Sequence, residues 1–323
     1  MRVLVTGASG ALGREVASAL IAAGHDVRTL QRRPSQVAGA EDILGSVTDE
    51  AAVTTATAGM DAVLHLAAKV SVTGPLAEFE AVNVGGTTRL LTAARRAGVH
   101  RYVQVSSPSV AHGGLAIMGD PALPADPRHA RGNYARTKAQ GELIALAADS
   151  ADFRVVAVRP HLIWGPGDTQ LIGRIVDRAR RGRLPLLDSG AALIDTTYRD
   201  NATSAIIAAF ENAETAHGRA WVVTNGEPRT IAELFDGICR AAGVTPPRWR
   251  IPGRLARVAG AAIEAVWAVR PGFDEPPMTR FLAEQLSTAH WFDQRTTREA
   301  LHWHPEVSLD EGLARLAASY RRD

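Results

Sequence analysis

The sequence predicts an α/β fold: a doubly wound parallel sheet with a smaller C-terminal region. Three observations predict it. A short β-branched run, Arg2–Thr6, feeds directly into the glycine loop Gly7-Ala8-Ser9-Gly10-Ala11-Leu12-Gly13 and then an apolar-striped helix. Short apolar runs then alternate with helical patterns as far as Pro160, the order that builds a parallel sheet. Glycine and polar residues stand where those strands end, the edge at which such sheets bind ligands.

The first helix carries Leu12, Val16, Ala19, Leu20 and Ala23 on one face and stops at Gly24, and Val27–Leu30 is the second strand. Strand, glycine loop, helix and strand within about 30 residues is the setting of a dinucleotide-binding unit of Rossmann type. The glycines let backbone approach a pyrophosphate, and the helix N-terminus offers unpaired N–H groups and positive dipole. Gly7, Ser9, Gly10, Ala11, Leu12 and Gly13 are therefore the candidate cradle. A tight turn without a ligand is the competing reading of the glycines taken alone.

The alternation continues in order. Ile43-Leu44 closes a third strand, and Asp61–Leu66 is a fourth that runs into Ala67-Ala68. Asn83 heads a helix over Val84–Arg96 that stops at Gly98. Arg101–Val105 is the fifth strand, ending at Ser106-Ser107. Residues 130–149 form an alanine-rich helix, and Arg154–Arg159 is a sixth strand terminated by Pro160. Beyond Gly165 the pattern loosens. Asp168–Arg183 reads as helical and basic, and Ala220–Thr224 as one more strand returning to the main sheet. Thr230–Ala242, Gly253–Val269, Leu282–Phe292 and Leu309–Tyr320 read as helices. The expected division is a dinucleotide-binding domain over 1–164, joined by the returning strand near 220–224, and a mostly substrate-binding region over 165–323.

Composition bounds the function. A chain of 323 residues with 46% hydrophobic content supports a large core, and a net charge of +2 without a basic, aromatic-studded run argues against nucleic-acid binding. The single cysteine, Cys239, excludes an intrachain disulfide and a Cys-rich metal site, and its apolar neighbours predict a buried thiol. The ten histidines show no H-x-x-x-H pair backed by a carboxylate, so no metal is expected. The chain opens on a strand rather than a leader, and no apolar run approaches the ~20 residues of a spanning helix. A cytoplasmic enzyme is expected.

Tyr134-Ala135-Arg136-Thr137-Lys138 draws the chemistry together. Residues four apart share a helix face, and a lysine there is expected to lower the phenol's pKa from about 10. The pair would then handle protons near neutrality. Of 36 Lys and Arg residues, only Lys69 and Lys138 are lysines. Keeping an ammonium here in an arginine-writing sequence points to a task that guanidinium cannot perform. A solvated helix surface is the bland alternative.

With glycine loop, Ser106-Ser107 and Tyr134-x-x-x-Lys138 in this order, the chain resembles the extended short-chain dehydrogenase/reductases. The likeness runs along its length, through Thr6-Gly-x-x-Gly-x-x-Gly13, His65-Leu-Ala-Ala68, Asn83-Val-Gly-Gly-Thr87, Arg159-Pro160 and Trp164-Gly-Pro-Gly-Asp168. Within that group it is similar to the 3β-hydroxysteroid dehydrogenase/isomerase branch. It is more similar still to the bacterial 2-alkyl-3-oxoalkanoate reductases of olefin biosynthesis. Pro108-Ser-Val110, Arg159–Asp168, Asp195–Asn201, Asn225–Pro228 and Glu275–Leu286 carry that closer likeness. The resemblance implies that Tyr134 is the general acid/base, that Lys138 lowers its pKa and binds the nicotinamide ribose, and that Ser107 bonds the substrate carbonyl. Ser106 stays open as the competing hydroxyl. Asn83 is implied in the supporting polar network, and Leu66, Ala67, Ala68 and Pro160 beside the cofactor. A homodimer through helices flanking the sheet is likewise implied.

Where NAD-preferring relatives place an acid at the end of the second strand, this chain reads Gln31-Arg32-Arg33. With no carboxylate to repel a phosphate and two guanidiniums to grip one, NADP(H) is the expected cofactor. Ser46 stands where relatives often carry an adenine-contacting aspartate. A hydrophobic oxo or hydroxy compound, in first place a 2-alkyl-3-oxo acid, is the expected substrate. Its carboxylate calls for a cation: Lys69 is the first candidate, His112 and His161 follow, and Ser109 and Trp164 complete the candidate wall. Leu255, Val258, Ala262 and Val266 recur at helical spacing, and core is the leading reading of that stripe over substrate lid or membrane contact. A steroid dehydrogenase, a sugar-nucleotide epimerase or dehydratase, and a non-catalytic NADP sensor are the competing functions. Association with a pathway enzyme is also left open.

Overall fold

The structure, a computed structural model, describes residues 1–71, 74–269 and 280–321. Seven parallel strands form its main sheet: β1 (Arg2–Thr6), β2 (Asp26–Gln31), β3 (Glu41–Leu44), β4 (Ala62–His65), β5 (Arg101–Val105), β6 (Arg154–Pro160) and β7 (Arg219–Val223). Their spatial order is 3-2-1-4-5-6-7, so the direction of winding reverses between β1 and β4. That reversal opens the crevice in which doubly wound sheets hold ligands. Thr6 lies opposite Leu30 of β2 on one side and His65 of β4 on the other, which puts the glycine loop at its mouth.

Side-chain alternation along β1 builds both faces of the core. Val3 and Val5 join the apolar layer of α1 (Ala11–Ala22) and of the helix Arg199–Glu211, through Val16, Leu20, Ile206 and Phe210. Leu4 faces the opposite layer with Val53, Leu90 and Tyr102. Gly24, at φ +82°, ends α1 in the left-handed conformation that costs glycine least. Asp49 caps α2 (Glu50–Thr57) by accepting N–H groups from Ala51 and Ala52.

Asn83 does not head its helix. It sits inside a π-helical stretch, Glu80–Gly86, that runs into α3 (Thr87–Arg96). Helix α4 (Gly132–Ala147) presses on that stretch so closely that a Cβ on Gly141 would strike the Asn83 carbonyl.

A second apolar cluster, built almost wholly beyond residue 163, includes Trp164, Ile175, Ile194, Phe235 and Leu316. The expected helix over Asp168–Arg183 is shorter, Ile172–Arg180. The Asp168 carboxylate accepts N–H groups from Gln170, Leu171 and Ile172 and so holds the preceding turn. The expected helix over Leu282–Phe292 divides into a helix, Arg280–Ser287, and a strand, His290–Phe292, that pairs in parallel with Ile117–Asp120. Thr288 closes the last turn of that helix, its N–H and hydroxyl both bonding the Glu284 carbonyl, and the chain then leaves for the strand. The core reading of the 255–266 stripe fails for three of its members, Leu255, Val258 and Ala262. Within the helix Gly253–Val269, Leu255 is 62% and Val258 70% exposed, and Ala256 is the buried neighbour. The Val266 side chain and the first five residues of Glu275–Leu286 lie outside what the structure describes.

The Asp195–Asn201 and Asn225–Pro228 segments meet. The Asn225 side chain accepts from Tyr198 N–H and Asn201 Nδ2, and the Asp195 carboxylate accepts from Thr224 Oγ1, Gly226 N and Glu227 N. Asn201 also accepts N–H groups from Glu306 and Val307, fastening the C-terminal segment to the strand ends.

Candidate active site

The glycine loop is shaped by contact as well as by torsion. Gly7 has φ +80°, and a Cβ there would stand 2.9 Å from Ala67 N, against the Leu66–Ala67 backbone that leaves β4. On Gly13 a Cβ would strike the Gly7 carbonyl. Gly10 precedes α1, which has neither a side-chain cap nor an acid in its first turn, and Gly10 and Ala11 are exposed beside the half-buried Ser9 and Leu12. Uncapped N–H groups facing solvent across a loop stripped of side chains fit a pyrophosphate.

Beneath the loop runs a chain of hydrogen bonds whose donors can be assigned. The Thr87 hydroxyl donates to the Asn83 carbonyl at 2.8 Å, so it accepts from His65 Nε2 at 3.2 Å. His65 Nδ1 then accepts from the Thr6 hydroxyl at 2.7 Å, and Thr6 Oγ1 accepts from Ala67 N at 3.1 Å. Burial, with the Lys138 charge adding to it, pushes His65 down to about 3 and keeps it neutral. This support for the loops after β1 and β4 was not anticipated. The one signal for it in the sequence was the position of His65 at a strand end.

At the end of β2, Arg32 and Arg33 are exposed. Asp42 on β3 fixes the backbone beneath them, accepting from Ser35 N at 2.9 Å, from Gln31 Nε2 at 3.1 Å and from Thr29 Oγ1. Burial works to raise Asp42, but hydrogen bonds from Ser35, Thr29 and Gln31 outweigh it and hold the carboxyl below its usual range. Ser46 closes on its own turn through Thr48.

Tyr134 and Lys138 lie on α4 as the spacing predicts, and the structure brings Ser107 to the same cavity wall, near enough to act on the tyrosine hydroxyl. Ser107 caps the short turn Pro108–Ala111, and its Oγ accepts from Ser109 Oγ at 2.9 Å. Ser109 therefore stands behind Ser107, and the Ser107 proton is not spent on it. Ser106 is absent from the cavity lining, and its buried hydroxyl has no partner. Lys138 Nζ donates to the Val105 carbonyl at 2.5 Å; burial lowers it to about 8, against the charge of Glu142. Glu142 in turn forms a buried, two-bond pair with Arg159, tying α4 to β6. Asn83 holds the backbone of Lys69 at both ends and reaches Thr137 Oγ1 at 3.0 Å, so it braces α4 against the loop after β4. One expectation is reversed: burial pushes the Tyr134 phenol up, to about 12, and Ser107 offsets only part of that.

Tyr134 and Ser107 face a cavity of about 570 Å³. Most of its wall is apolar and comes from the second half, including Ile175, Ile194, Leu234, Phe235 and Ile238. His112, His161 and Trp164 line it, and Trp164 Nε1 donates to Thr196 Oγ1 at 2.9 Å. Pro160 is buried at the end of β6, immediately before His161. Lys69 is not on the lining. Its ammonium pairs with Glu78 at 2.7 Å and lies over the Phe79 ring, while its neighbours Val70 and Ser71 reach the cavity. Several polar lining residues carry no signal in the sequence, among them Arg174, Arg131, which is paired with Glu284 by two bonds of 2.7 and 2.8 Å, and His290. His290 was hidden inside the expected helix over Leu282–Phe292.

Comparison with known proteins follows the same lines. Residues 3–224 match the model of the NAD dependent epimerase/dehydratase family. A 2-alkyl-3-oxoalkanoate reductase of Stenotrophomonas maltophilia is 40% identical, over 99% of each chain. One of the same name from Shewanella oneidensis is 34% identical over 98% of this chain and 85% of its own. A 3β-hydroxysteroid dehydrogenase/Δ5→4-isomerase of Mycobacterium tuberculosis is 31% identical over 99% and 90%. Among solved structures, MoeE5 in complex with UDP-glucose and NAD superposes with a TM-score of 0.76 at 25% identity, covering 100% of this chain and 99% of its own.

Proposed function

We propose that this chain, which belongs to the NAD dependent epimerase/dehydratase family of extended short-chain dehydrogenase/reductases and is an oxidoreductase, works as an NADPH-dependent ketoreductase. Its substrate in this reading is a 2-alkyl-3-oxo fatty acid, reduced to the 3-hydroxy acid. The observation that carries the reading is Ser107 and Tyr134 together on the wall of a large, mainly apolar cavity. The activity printed for its 40% and 34% identical relatives supports the substrate.

NADPH, when bound, supplies the hydride. The glycine loop and the α1 N-terminus would hold its pyrophosphate, and Arg32 and Arg33 its 2′-phosphate. Ser107 keeps its proton and directs it as a hydrogen bond at the ketone oxygen, where negative charge develops. Tyr134, kept protonated by burial, is in the correct state to give that oxygen a proton, so a raised phenol suits the reduction direction. Lys138 holds positive charge one turn away and stabilises the phenolate left behind. Asn83 keeps α4 in register with the loop after β4. The apolar wall takes the alkyl chains and excludes water.

The reading is tested by following NADPH consumption with a 2-alkyl-3-oxo acid and a 3-oxosteroid in parallel, using Tyr134→Phe as the blank. Turnover of the acid that disappears in the variant while NADPH still binds is expected. Steroid turnover alone would move the assignment to the steroid branch, and equal efficiency with NADH would remove the NADPH preference. A cytoplasmic homodimer belongs to the same proposal. Among the described residues no helix is long and apolar enough to cross a membrane.

A further inference from the structure

We infer that His112, His161 and His290 form the subsite for the substrate's carboxylate, and that His290 accepts a proton when the acid binds. The inference rests on the ketoreductase reading and names how that cavity recognises an acid.

Three imidazoles reach one wall from separate elements. His112 follows the turn that begins at Ser107, His161 follows the last residue of β6, and His290 opens the strand after the broken helix. His112 Nε2 and His290 Nε2 are 3.3 Å apart, and the His161 and His290 ring centroids 6.3 Å apart. In a 3-oxo acid the carboxyl carbon is two bonds from the ketone carbon. A carboxylate subsite must therefore adjoin Ser107 and Tyr134, and these histidines line the same cavity.

Hydrogen-bond donors fix the tautomers. The Asp195 carbonyl can only accept, so His161 carries its proton on Nδ1, 2.5 Å away. The Thr288 hydroxyl donates to the Glu284 carbonyl at 2.7 Å, so it accepts from His290 Nε2 at 3.3 Å. His290 Nε2–H thereby stands between Thr288 and His112. In the neutral ring Nδ1 is then a bare acceptor, and it is buried with no partner, in a residue 1% exposed. A buried orphan acceptor costs on the order of 1–3 kcal/mol. Protonated there, the ring is a donor on both nitrogens, and the entering carboxylate supplies the acceptor that Nδ1–H then needs.

The surrounding charges point the same way. Arg131 is already matched by Glu284, and Lys69 by Glu78. Glu284 and Arg131 act on His112 with opposite sign, and the Asp195 carboxylate is occupied by Thr224, Gly226 and Glu227. Burial, reinforced by His112 and His161, pushes His290 down to about 3, and burial takes His161 to about 4. The cluster is thus neutral until an anion enters. A carboxylate, a proton from solvent and neutral His290 then become an imidazolium–carboxylate pair, with charge and protons balanced. Arg174, bonded to Gln170 at 2.9 Å, is the competing cation on the lining.

The test is calorimetric and needs no turnover. Binding of a short 2-alkyl-3-hydroxyalkanoate to the NADPH-loaded protein is compared, near neutral pH, with binding of the secondary alcohol that has the same two chains and no carboxyl. Buffers of different ionisation enthalpy report the protons. About one proton taken up with the acid and none with the alcohol is expected. His290→Phe should abolish the uptake and lower the acid-over-alcohol preference by roughly 10- to 100-fold, the range of one charge-assisted hydrogen bond. His112→Gln should lower it by less. Acid binding without proton uptake in the unaltered protein overturns the inference even if His290→Phe does not fold. So does a preference removed by Arg174→Gln and untouched at His290. If neither ligand binds, the ketoreductase reading itself fails, a different result from binding without protons.

Discussion

The two ends of the active-site cleft are built by different rules. At the glycine loop, a run of seven consecutive residues sets the geometry, and two positions are closed to any side chain by backbone contact, Gly7 against Ala67 and Gly13 against Gly7. At the far wall, His112, His161, Phe235, His290 and Leu313 converge from stretches scattered over two hundred residues of sequence. A backbone cradle has to be written contiguously, because local torsions make it. A cavity wall needs only the right surfaces facing inward, and any element can present them. Chemistry common to a family therefore sits in the first kind of site and substrate choice in the second.

The largest test of that contrast is at its junction. Tyr134→Phe should lower ketone reduction by about 10²–10⁴-fold and Ser107→Ala by about 10²–10³-fold, with NADPH affinity measured by fluorescence titration left within a few-fold. A Tyr134→Phe enzyme of full activity would remove the tyrosine from the chemistry. On the cradle side, Gly13→Ala should cost about 1–3 kcal/mol of stability and most of the dinucleotide affinity, since its Cβ has no room. Thermal shift with and without NADPH reads both. Replacing Arg32 and Arg33 together by Ala should reduce the NADPH-over-NADH preference by roughly 10- to 100-fold, as two charge-assisted contacts are lost; an unchanged ratio would place the 2′-phosphate elsewhere.

Protons separate the ends further. His65, His161 and His290 are all pushed below the ordinary histidine value, to about 3, 4 and 3, by burial first. The unfolded chain then binds these protons before the folded one does. Their neutrality supports the fold fully above about pH 6.5, and that support drains away as pH falls toward their folded values. Melting temperature should fall steeply on the acid side, and His65→Asn should blunt the slope. In the alkaline direction reduction should weaken above about pH 8, where Lys138 loses its proton, well before Tyr134 ionises. The smallest effect lies outside the cleft. Arg254, Leu255 and Val258 are exposed on the helix Gly253–Val269, and Leu255→Ser with Val258→Ser should reduce flotation with anionic vesicles if that face rests on lipid.

Much of this is legible in the sequence alone. The glycine loop, the strand alternation and the Tyr134–Lys138 turn are local patterns, and local patterns fix local backbone. What was not legible depended on distance or burial. The phenol rises because the folded chain shields it from water, which no spacing of Tyr and Lys records. His290 was hidden because Leu282–Phe292 has helical composition. There the helix gives way to a strand that pairs with one more than 160 residues upstream. Leu255 and Val258 carry the stripe of a buried helix yet face outward, since periodicity marks a face without saying what covers it.

Strand β7 has a consequence for anyone wishing to transplant the wall. It belongs to the main sheet beside β6, and Val223 receives the His161 N–H at 3.0 Å, yet it is encoded far beyond residue 164. A chimera joined at that boundary would pair one parent's β6 with the other's β7, although the interlock of Asn201, Asn225 and Val307 would stay within one parent. Recombination that respects the sheet would exchange two inserts, one on each side of Arg219–Val223, and leave the strand with its native neighbours.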